Sequence, residues 1–383
     1  MLAGQHYGAY FVLLIFFLAN LYFYIRLLWG LKPTRSFSCF LGLILFLLFL
    51  SFPVGKILGR LDYNFFNYWL TLVSSTWMGF TLFFATCAGA YDLFRLFWKK
   101  SPYGRKSFLS PKLSFGPFFM ISIFAFVIFL GGCALREAQQ IVVSRIEIPL
   151  RNLPLDMDGI TILQVSDVHY GMLTENDRLS KIVQMVNELH PDIVVFTGDL
   201  VDEKVSHMEQ MAEPLSRLRS RFGIYAVLGN HEYYAGANRI AKILGEANIH
   251  LLRNEVENIP GGIQILGIDD PTGFKRMNEP KPNFEGLISK LDSQKPSLLL
   301  YHRPSGFEEA ARAKVGLQLS GHTHGAQIFP IRPFAELWFP YVRGLHQIGE
   351  SCLYVSRGVG TGGPPMRLGS PPEIVHIRLR SQS

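Results

Sequence analysis

The chain has 383 residues, which is enough for two domains. Hydrophobic residues make up 49% of it and charged residues only 17%, a composition unlike that of an ordinary soluble protein. The net charge of +7 is divided unevenly, because residues 1–136 carry +10 whereas the remainder, with 25 basic and 28 acidic residues, carries −3. The C-terminal part therefore lacks the clustered positive charge that nucleic-acid binding requires, and we expect no nucleic-acid partner.

Four runs without a charged side chain occupy the N-terminal third of the sequence, at residues 2–25, 36–55, 63–91 and 113–135. Each is long enough for an α-helix to cross a hydrocarbon core of about 30 Å. We therefore predict four transmembrane spans, at about residues 7–28, 36–57, 66–92 and 114–135. On this interpretation residues 1–136 form a transmembrane module and residues 137–383 form a second domain.

Basic residues are distributed unequally between the loops that join the predicted spans. The first and third loops carry nine Lys and Arg residues, whereas the second loop carries only Lys56 and Arg60. Because cytoplasmic loops are enriched in Lys and Arg, we predict that the second domain lies on the non-cytoplasmic side. The cores of spans two to four contain no acidic residue or histidine, which favours a membrane anchor over an ion pathway.

Beyond residue 136, short apolar runs alternate with helix-like stretches. The predicted strands cover residues 141–150, 160–166, 192–198, 223–229, 263–268, 297–302, 316–321 and 352–358. The predicted helices cover residues 176–189, 208–221, 239–247 and 284–291. Near-continuous apolar strands that alternate with helices indicate an α/β domain with buried sheets.

Side chains that can bind a metal follow five of these strands. In chain order they are Asp167 and His169, Asp199, Asn230, His302, and His322 with His324. Ligands of open α/β sheets gather beyond the carboxyl ends of the strands, so we expect these donors to converge. Carboxylate, imidazole and amide donors favour two divalent ions such as Mn²⁺, Fe²⁺ or Zn²⁺ and exclude a soft thiolate site. Two such ions can activate a shared hydroxide for in-line attack on phosphorus, without a protein nucleophile.

The ordered motifs D-x-H, GD, GNH(D/E), a single His after a strand, and GHTH resemble those of the calcineurin-like metallophosphoesterases. The resemblance spans about residues 140–380, and the C-terminal stretch is similar to the bacterial, membrane-anchored branch. It implies two facing β-sheets flanked by helices, an α/β/β/α sandwich. It also implies that one ion is held by Asp167, His169, Asp199 and His324, and the other by Asp199, Asn230, His302 and His322. Asp199 would then bridge the two ions.

The resemblance leaves several roles near the metal site open. It makes His231 the catalytic residue that protonates the leaving oxygen or stabilises the phosphoryl charge, although a structural hydrogen bond is the alternative. Asp202 fits a helix N-cap as well as a catalytic role. Arg303 and Arg367 could contact a substrate phosphate or be ordinary solvated side chains. Glu232 stands where Asp is common, and we expect it to support the site without binding metal.

The segment at residues 328–344, IFPIRPFAELWFPYVRG, is apolar and aromatic and contains three prolines, so it is unsuited to a regular helix. It is either a packed loop beside the sheet or a lipid-contacting rim.

These patterns predict a membrane-anchored hydrolase that cleaves a phosphoester or pyrophosphate bond of a phosphorylated small molecule or lipid. One alternative is a UDP-diacylglucosamine pyrophosphatase of lipid A synthesis, which acts in the cytoplasm. The other is a non-catalytic metal-binding membrane sensor or scaffold. Partners expected on the main interpretation are the bilayer and the phosphorylated substrate.

Overall fold

The computed structural model describes residues 7–61, 64–100, 117–174, 176–202, 207–277 and 282–382. These residues fall into two compact units. Of the described residues, the first unit holds 7–59, 64–100, 117–136 and 363–366, and the second holds 60–61 and the remainder from Glu137 onward.

Four long helices make up the first unit: α1 (Tyr7–Leu31), α2 (Arg35–Leu61), α3 (Phe65–Lys100) and α4 (Pro117–Gln139). All four are long and apolar enough to cross a membrane, over Tyr10–Leu31, Arg35–Gly59, Phe65–Trp98 and Met120–Gln139. The predicted residues 114–116 of the fourth span lie outside the described residues.

Polar side chains that are buried among the four helices pair with one another. The indole N–H of Trp77 on α3 donates to Asn20 Oδ1 on α1 at 2.9 Å. Arg26 on α1 forms an ion pair with Asp92 on α3. Such pairs satisfy groups that hydrocarbon would leave without partners, and they join the same two helices at two levels.

The second unit contains two six-stranded sheets. The first has the order β1-β12-β2-β3-β4-β5 and the second the order β10-β11-β9-β8-β7-β6. The strands are β1 (Val142–Leu150), β2 (Thr161–Val165), β3 (Ile193–Phe196), β4 (Ile224–Ala226), β5 (His250–Leu251), β6 (Glu255–Asn258), β7 (Gln264–Ile268), β8 (Ser297–Tyr301), β9 (Leu317–Ser320), β10 (Gly344–Ile348), β11 (Ser351–Val355) and β12 (Glu373–Ser381).

Both sheets are mixed, with a parallel centre. Strands β2, β3, β4 and β5 pair in parallel, with Val165 opposite Phe196, and β12 pairs antiparallel to β2. In the second sheet β7, β8, β9 and β11 pair in parallel, with Leu300 opposite Leu319. Parallel neighbours end at the same edge, so the residues that follow β2, β3 and β4, and those that follow β8 and β9, emerge together.

Alternation along the strands builds three apolar layers. Ile162 on β2 and Leu298 on β8 belong to the core between the sheets. Leu163, the next residue on β2, faces the helices outside the first sheet, and Leu299 faces those outside the second. This period-two pattern is that of strands buried on both faces. The predicted arrangement of two facing sheets flanked by helices, after four apolar helices, is confirmed.

The flanking helices of the second unit are short. They are α5 (Asn176–Glu188), α6 (Ala212–Leu215), α7 (Asn230–Ala235), α8 (Ala237–Glu246), α9 (Pro271–Met277), α10 (Phe284–Ile288), α11 (Phe307–Arg312) and α12 (Arg332–Ala335). The prediction of one helix at residues 208–221 is wrong. A 3-10 turn at Met208–Met211 precedes α6 there, because Pro214 would clash with the carbonyl of Gln210 in a continuous helix.

Candidate metal centre

The carboxyl ends of five strands supply the predicted donors. In the first sheet, Asp167 follows β2, Asp199 follows β3 and Asn230 follows β4 at the start of α7. In the second sheet, His302 follows β8 and His322 follows β9. The structure brings six of the seven predicted donors into two groups whose donor atoms lie within 4.8 Å of one another.

The first group consists of Asp167, His169 and His324. The Nε2 atoms of His169 and His324 are 2.9 Å apart, and His324 Nε2 lies 3.5 Å from Asp167 Oδ1. Asp167 is fully buried and His169 almost fully buried, so their polar atoms face one another instead of solvent. Three donor atoms this close together direct their lone pairs into one small space, which a bound cation would occupy favourably.

The second group consists of Asp199, His302 and His322. His302 Nε2 is 3.2 Å from Asp199 Oδ2 and 3.1 Å from His322 Nδ1. The same carboxylate oxygen lies 3.9 Å from Nε2 of His169 in the first group. Asp199 thus approaches donors of both groups, which is the position that a bridging carboxylate needs.

Asn230, the seventh predicted donor, is 6% exposed. Its Oδ1 atom has no hydrogen-bond partner among the described residues. A buried carbonyl oxygen without a partner costs about 1–3 kcal/mol, which an oxygen-binding cation would recover. The chemistry of the donor set and this orphaned oxygen both fit the divalent ions that the sequence predicts.

Five of the seven predicted donors have a backbone in the left-handed region. The φ angles are 52° at Asp167, 51° at His169, 52° at Asp199, 74° at His322 and 51° at His324. Such conformations cost a residue other than Gly about 1–3 kcal/mol and persist where the surroundings over-determine them. The chain therefore holds these side chains at an energetic cost, which is characteristic of functional sites.

Glycines allow the donor loops to approach one another. Gly198 has φ of 90°, and a Cβ atom there would lie 2.6 Å from the Gly229 nitrogen and 2.7 Å from His302 Nδ1. The carbonyl oxygen before it, of Thr197, is 2.8 Å from the same His302 nitrogen. This contact orients the His302 ring so that Nε2 faces Asp199.

Neighbouring charges set the protonation of the buried histidines. Burial opposes a charge on His302, but the Asp199 carboxylate outweighs burial and raises the pKa of His302 to about 10. Burial, together with the positive charges of His302 and Arg303, lowers the pKa of His322 to about 3. Burial also lowers the pKa of His324 well below its ordinary value. His322 and His324 are therefore neutral at pH 7, which is the form of imidazole that binds metals, whereas His302 must release its proton when a cation binds beside Asp199.

Glu232 supports the second group without joining it. Its buried carboxylate accepts backbone N–H groups of Asp199 and Gly229 through Oε2, at 3.0 and 2.7 Å, and of Leu200 and Val201 through Oε1, at 2.6 and 3.2 Å. Four hydrogen bonds from one carboxylate join the loop after β3 to the loop after β4. The support that we expected from Glu232 is thus a set of hydrogen bonds to the backbone that carries Asp199.

Arg367 lies in the interior with no exposed surface. It donates to the carbonyl oxygens of Gly360, Arg357 and Ser370, and its Nη2 is 3.2 Å from His324 Nδ1. Burial lowers its pKa to about 9. Since its donors point to these internal acceptors, Arg367 fits neither of the two alternatives, contact with a substrate phosphate or an ordinary solvated side chain.

Arg303 borders the other group and is likewise engaged within the protein. Its guanidinium donates to both oxygens of buried Asp270, at 2.6 and 3.2 Å. Its Nη1 lies 3.3 Å from His322 Nε2. The positive charge of Arg303 outweighs burial and lowers the pKa of Asp270.

His231 and Asp202 form a pair at the mouth of the site. The His231 amide donates to Asp199 Oδ1 at 2.9 Å, and its ring Nδ1 contacts the carbonyl oxygen of Asp202 and lies 3.6 Å from Asp202 Oδ1. The same carboxylate oxygen is 3.4 Å from Nδ1 of His169. From the sequence, Asp202 was a candidate for a helix N-cap or for a catalytic role. In the structure its carboxylate lies beside two imidazoles of the site, those of His169 and His231.

Comparison with known proteins agrees with this geometry. The family description "calcineurin-like phosphoesterase" matches residues 160–326. A Campylobacter jejuni protein named as an uncharacterized metallophosphoesterase is 32% identical over 98% of this chain and 98% of its own length. The chain belongs to the calcineurin-like phosphoesterase family. It is therefore a metal-dependent phosphoester hydrolase by family, which disfavours the sensor or scaffold alternative.

Two further relatives match about two thirds of this chain. A Danio rerio "transmembrane protein with metallophosphoesterase domain" is 36% identical over 64% of this chain, which covers 59% of the relative's length. An uncharacterized metallophosphoesterase of Aquifex aeolicus is 35% identical over 67% of this chain and 98% of its own length. Metallophosphoesterases of this family bind two divalent metals in general, and the four apolar helices accord with a membrane protein.

Proposed function

We propose that this chain is a membrane-anchored phosphoesterase with two divalent metal ions, which hydrolyses a phosphoester or pyrophosphate bond of a lipid-linked substrate. The observation that carries the proposal is the position of Asp199, within 3.2 Å of His302 and 3.9 Å of His169. A single carboxylate shared by two donor groups is the arrangement that two-metal hydrolysis requires.

Each donor group supports one ion. We assign the first ion to Asp167, His169, Asp199 and His324, and the second to Asp199, Asn230, His302 and His322. When bound, two such ions lower the pKa of water and neutralise charge on the phosphoryl oxygens. The mixture of carboxylate and imidazole donors favours Mn²⁺, Fe²⁺ or Zn²⁺.

We assign His231 the role of proton donor to the leaving oxygen. Its Nδ1 is held by Asp202, which leaves Nε2 as the ring atom for a substrate. The Asp202 carboxylate oxygen lies 3.6 Å from the same Nδ1, so it helps to fix the ring with Nε2 free for the leaving oxygen. The amide of His231 also binds Asp199 Oδ1, which ties the position of the acid to that of the shared carboxylate.

A lipid-linked substrate is proposed because the chain carries four candidate spans. A hydrolase held at a bilayer encounters amphiphilic phosphoesters at high local concentration. The excess of basic residues in the first and third loops supports a catalytic unit on the non-cytoplasmic side.

The hydrolytic proposal is tested with the purified full chain loaded with Mn²⁺ and given bis-p-nitrophenyl phosphate. We expect hydrolysis that Asp199→Ala abolishes. Absence of hydrolysis, or its persistence in Asp199→Ala, would overturn the proposal. Lipid and nucleotide-sugar profiles of cells that lack the protein, set beside those of an Asp199→Asn strain, then identify the substrate that accumulates when catalysis alone is lost.

The orientation is tested with a reporter fused after Ser383. We expect activity of a reporter that works only outside the cytoplasm, such as alkaline phosphatase. If a reporter that works only in the cytoplasm is active instead, the proposed orientation is wrong, and a cytoplasmic UDP-diacylglucosamine pyrophosphatase becomes the better hypothesis.

A further inference from the structure

A segment that directly follows the metal-site histidines is fixed at both ends. We define the apolar segment as residues 328–342. Its terminal residues, Ile328 and Val342, are each only 4% exposed. The Phe329 N–H donates to the Leu368 carbonyl at 2.9 Å, and the Val342 carbonyl accepts the hydroxyl of Thr323 at 2.5 Å. The segment is therefore a clamped loop whose ends belong to the folded core.

Between these ends the large apolar side chains face outward. Leu337 is 76% exposed, Trp338 67%, Phe329 64%, Phe334 60% and Ile331 40%. Five such side chains within ten residues form a contiguous apolar surface, which is unfavourable in water and marks an interaction site. The packed-loop alternative of the sequence analysis accounts for the ends of the segment but not for its centre.

The apolar segment adjoins the proposed catalytic centre. The ring of Phe339 lies 5.6 Å from the ring of His322, centroid to centroid. At the opposite end, the 3-10 turn His324–Ala326 leads into the segment after one residue. Whatever covers this surface therefore approaches the metal-binding groups.

The occupant to which these observations point is lipid. The chain has four helices able to span a bilayer, and only Gln140 and Ile141 separate α4 from β1. So short a tether keeps the second unit at a high effective concentration near a bilayer surface. Trp favours the headgroup region, and Phe and Leu are typical of the apolar face that interfacial segments bury there. The charged side chains of the segment, Arg332 and Glu336, pair with each other at 2.8 Å and so do not oppose insertion as isolated charges.

We propose that the apolar segment inserts into the headgroup region of the bilayer and thereby presents the metal centre to the lipid surface. The inference goes beyond the proposed function, because insertion does not depend on which bond is hydrolysed or on whether the reaction occurs.

Trp338 provides a direct test. The other four tryptophans, Trp29, Trp69, Trp77 and Trp98, all belong to α1 and α3. The full chain is reconstituted in phosphatidylcholine and phosphatidylglycerol vesicles, with or without bromine on the acyl chains. The fluorescence of Trp338 is obtained as the difference between the wild-type protein and Trp338→Phe. We expect bromolipid to quench this component. Quenching by aqueous acrylamide but not by bromolipid would overturn the proposal.

A matched pair of variants separates insertion from a general effect of charge. Leu337→Asp places a charge beside Trp338, and we expect it to abolish the bromolipid quenching. Leu155→Asp changes a residue that is 81% exposed elsewhere in the second unit, and we expect it to leave the quenching intact. Equal quenching in both variants would contradict insertion of the segment. The readout is fluorescence, so a failure of the hydrolytic assay leaves this test unaffected.

Discussion

The two donor groups of the metal centre take their support from different parts of the chain. Asp199, His302 and His322 are braced by Glu232 and Arg303, which lie within the family match at residues 160–326. The group of Asp167, His169 and His324 has Asp202 beside it within that match, but it is also braced by residues beyond the match.

Support for the first group comes from the C-terminal stretch. The N–H of Gly360 donates to the Asp167 carbonyl at 2.8 Å, and the N–H of Val359 donates to the Ser166 carbonyl at 2.9 Å. Arg367 reaches His324 and binds the Gly360 carbonyl in the same contact network. The first group therefore gains supporting contacts from residues that follow β11, whereas the contacts of Glu232 and Arg303 with the second group lie within residues 160–326.

The largest expected effect comes from the side chain that both groups share. Asp199→Asn removes a negative charge from between the groups, so both ions should bind more weakly. We expect hydrolysis of bis-p-nitrophenyl phosphate to fall by more than about 10³-fold, beyond the 10–100-fold typical of groups that only orient metal ligands. Asp177→Asn, an exposed substitution at the start of α5, is the control. Retention of both ions by Asp199→Asn, measured by elemental analysis, would contradict a bridging role.

Glu232→Gln should produce the next largest effect, on the second group. The amide of Gln presents N–H to two of the four backbone N–H donors, which leaves buried donors unpaired at a cost of about 1–3 kcal/mol each. Because those donors position Asp199, we expect metal affinity and activity to fall about 10–100-fold.

The matched control for this variant is Glu246→Gln, at an exposed glutamate near the end of α8. Metal affinity is measured by competition with a fluorescent chelator and the fold by circular dichroism. An affinity equal to that of the wild-type protein would mean that the Glu232 contacts do not control the metal site.

Arg367→Lys is expected to act on the first group alone. Lysine keeps the positive charge but cannot reach the Gly360 carbonyl and His324 with one planar group. We expect about a tenfold loss of affinity for one ion, with the occupancy of the other retained. Arg378→Lys, at an exposed position of β12, is the control. Equal loss of both ions in Arg367→Lys would show that the two half-sites are not supported separately.

The metal ligands and their convergence could be predicted because each ligand motif directly follows the carboxyl end of a predicted strand. Asp167, Asp199 and His322 each follow a short strand rich in Ile, Leu and Val, and such strands can be predicted from the sequence. The assembly of the two sheets followed from the family resemblance and is confirmed. Strands β5, β6, β10 and β12 were not predicted. The first three are short and lack an apolar run, whereas β12 does alternate apolar and polar residues at positions 375–380.

The supporting contacts could not be predicted, for a physical reason. Arg367 lies 43 residues from His324 in sequence, and nothing in its neighbourhood distinguishes a buried guanidinium from a solvated one. Asp202 was ambiguous because a carboxylate three residues after Asp199 suits a helix N-cap equally well. The left-handed backbone at five donors also depends on tertiary contacts, which local sequence does not encode.

The smallest expected effect concerns Arg303, which borders the second group as Arg367 borders the first. Arg303 holds Asp270 through two hydrogen bonds, yet its side chain remains 30% exposed, unlike the enclosed Arg367. Arg303→Lys keeps the charge and loses the two-point contact, so the free energy of unfolding should fall by only about 1 kcal/mol, because solvent screens the pair. Urea denaturation of the full chain in detergent measures this change, with Arg312→Lys on exposed α11 as the control. A loss of metal affinity larger than that of Arg367→Lys would mean that the 3.3 Å contact of Arg303 with His322 matters more to the site than the buried network around His324.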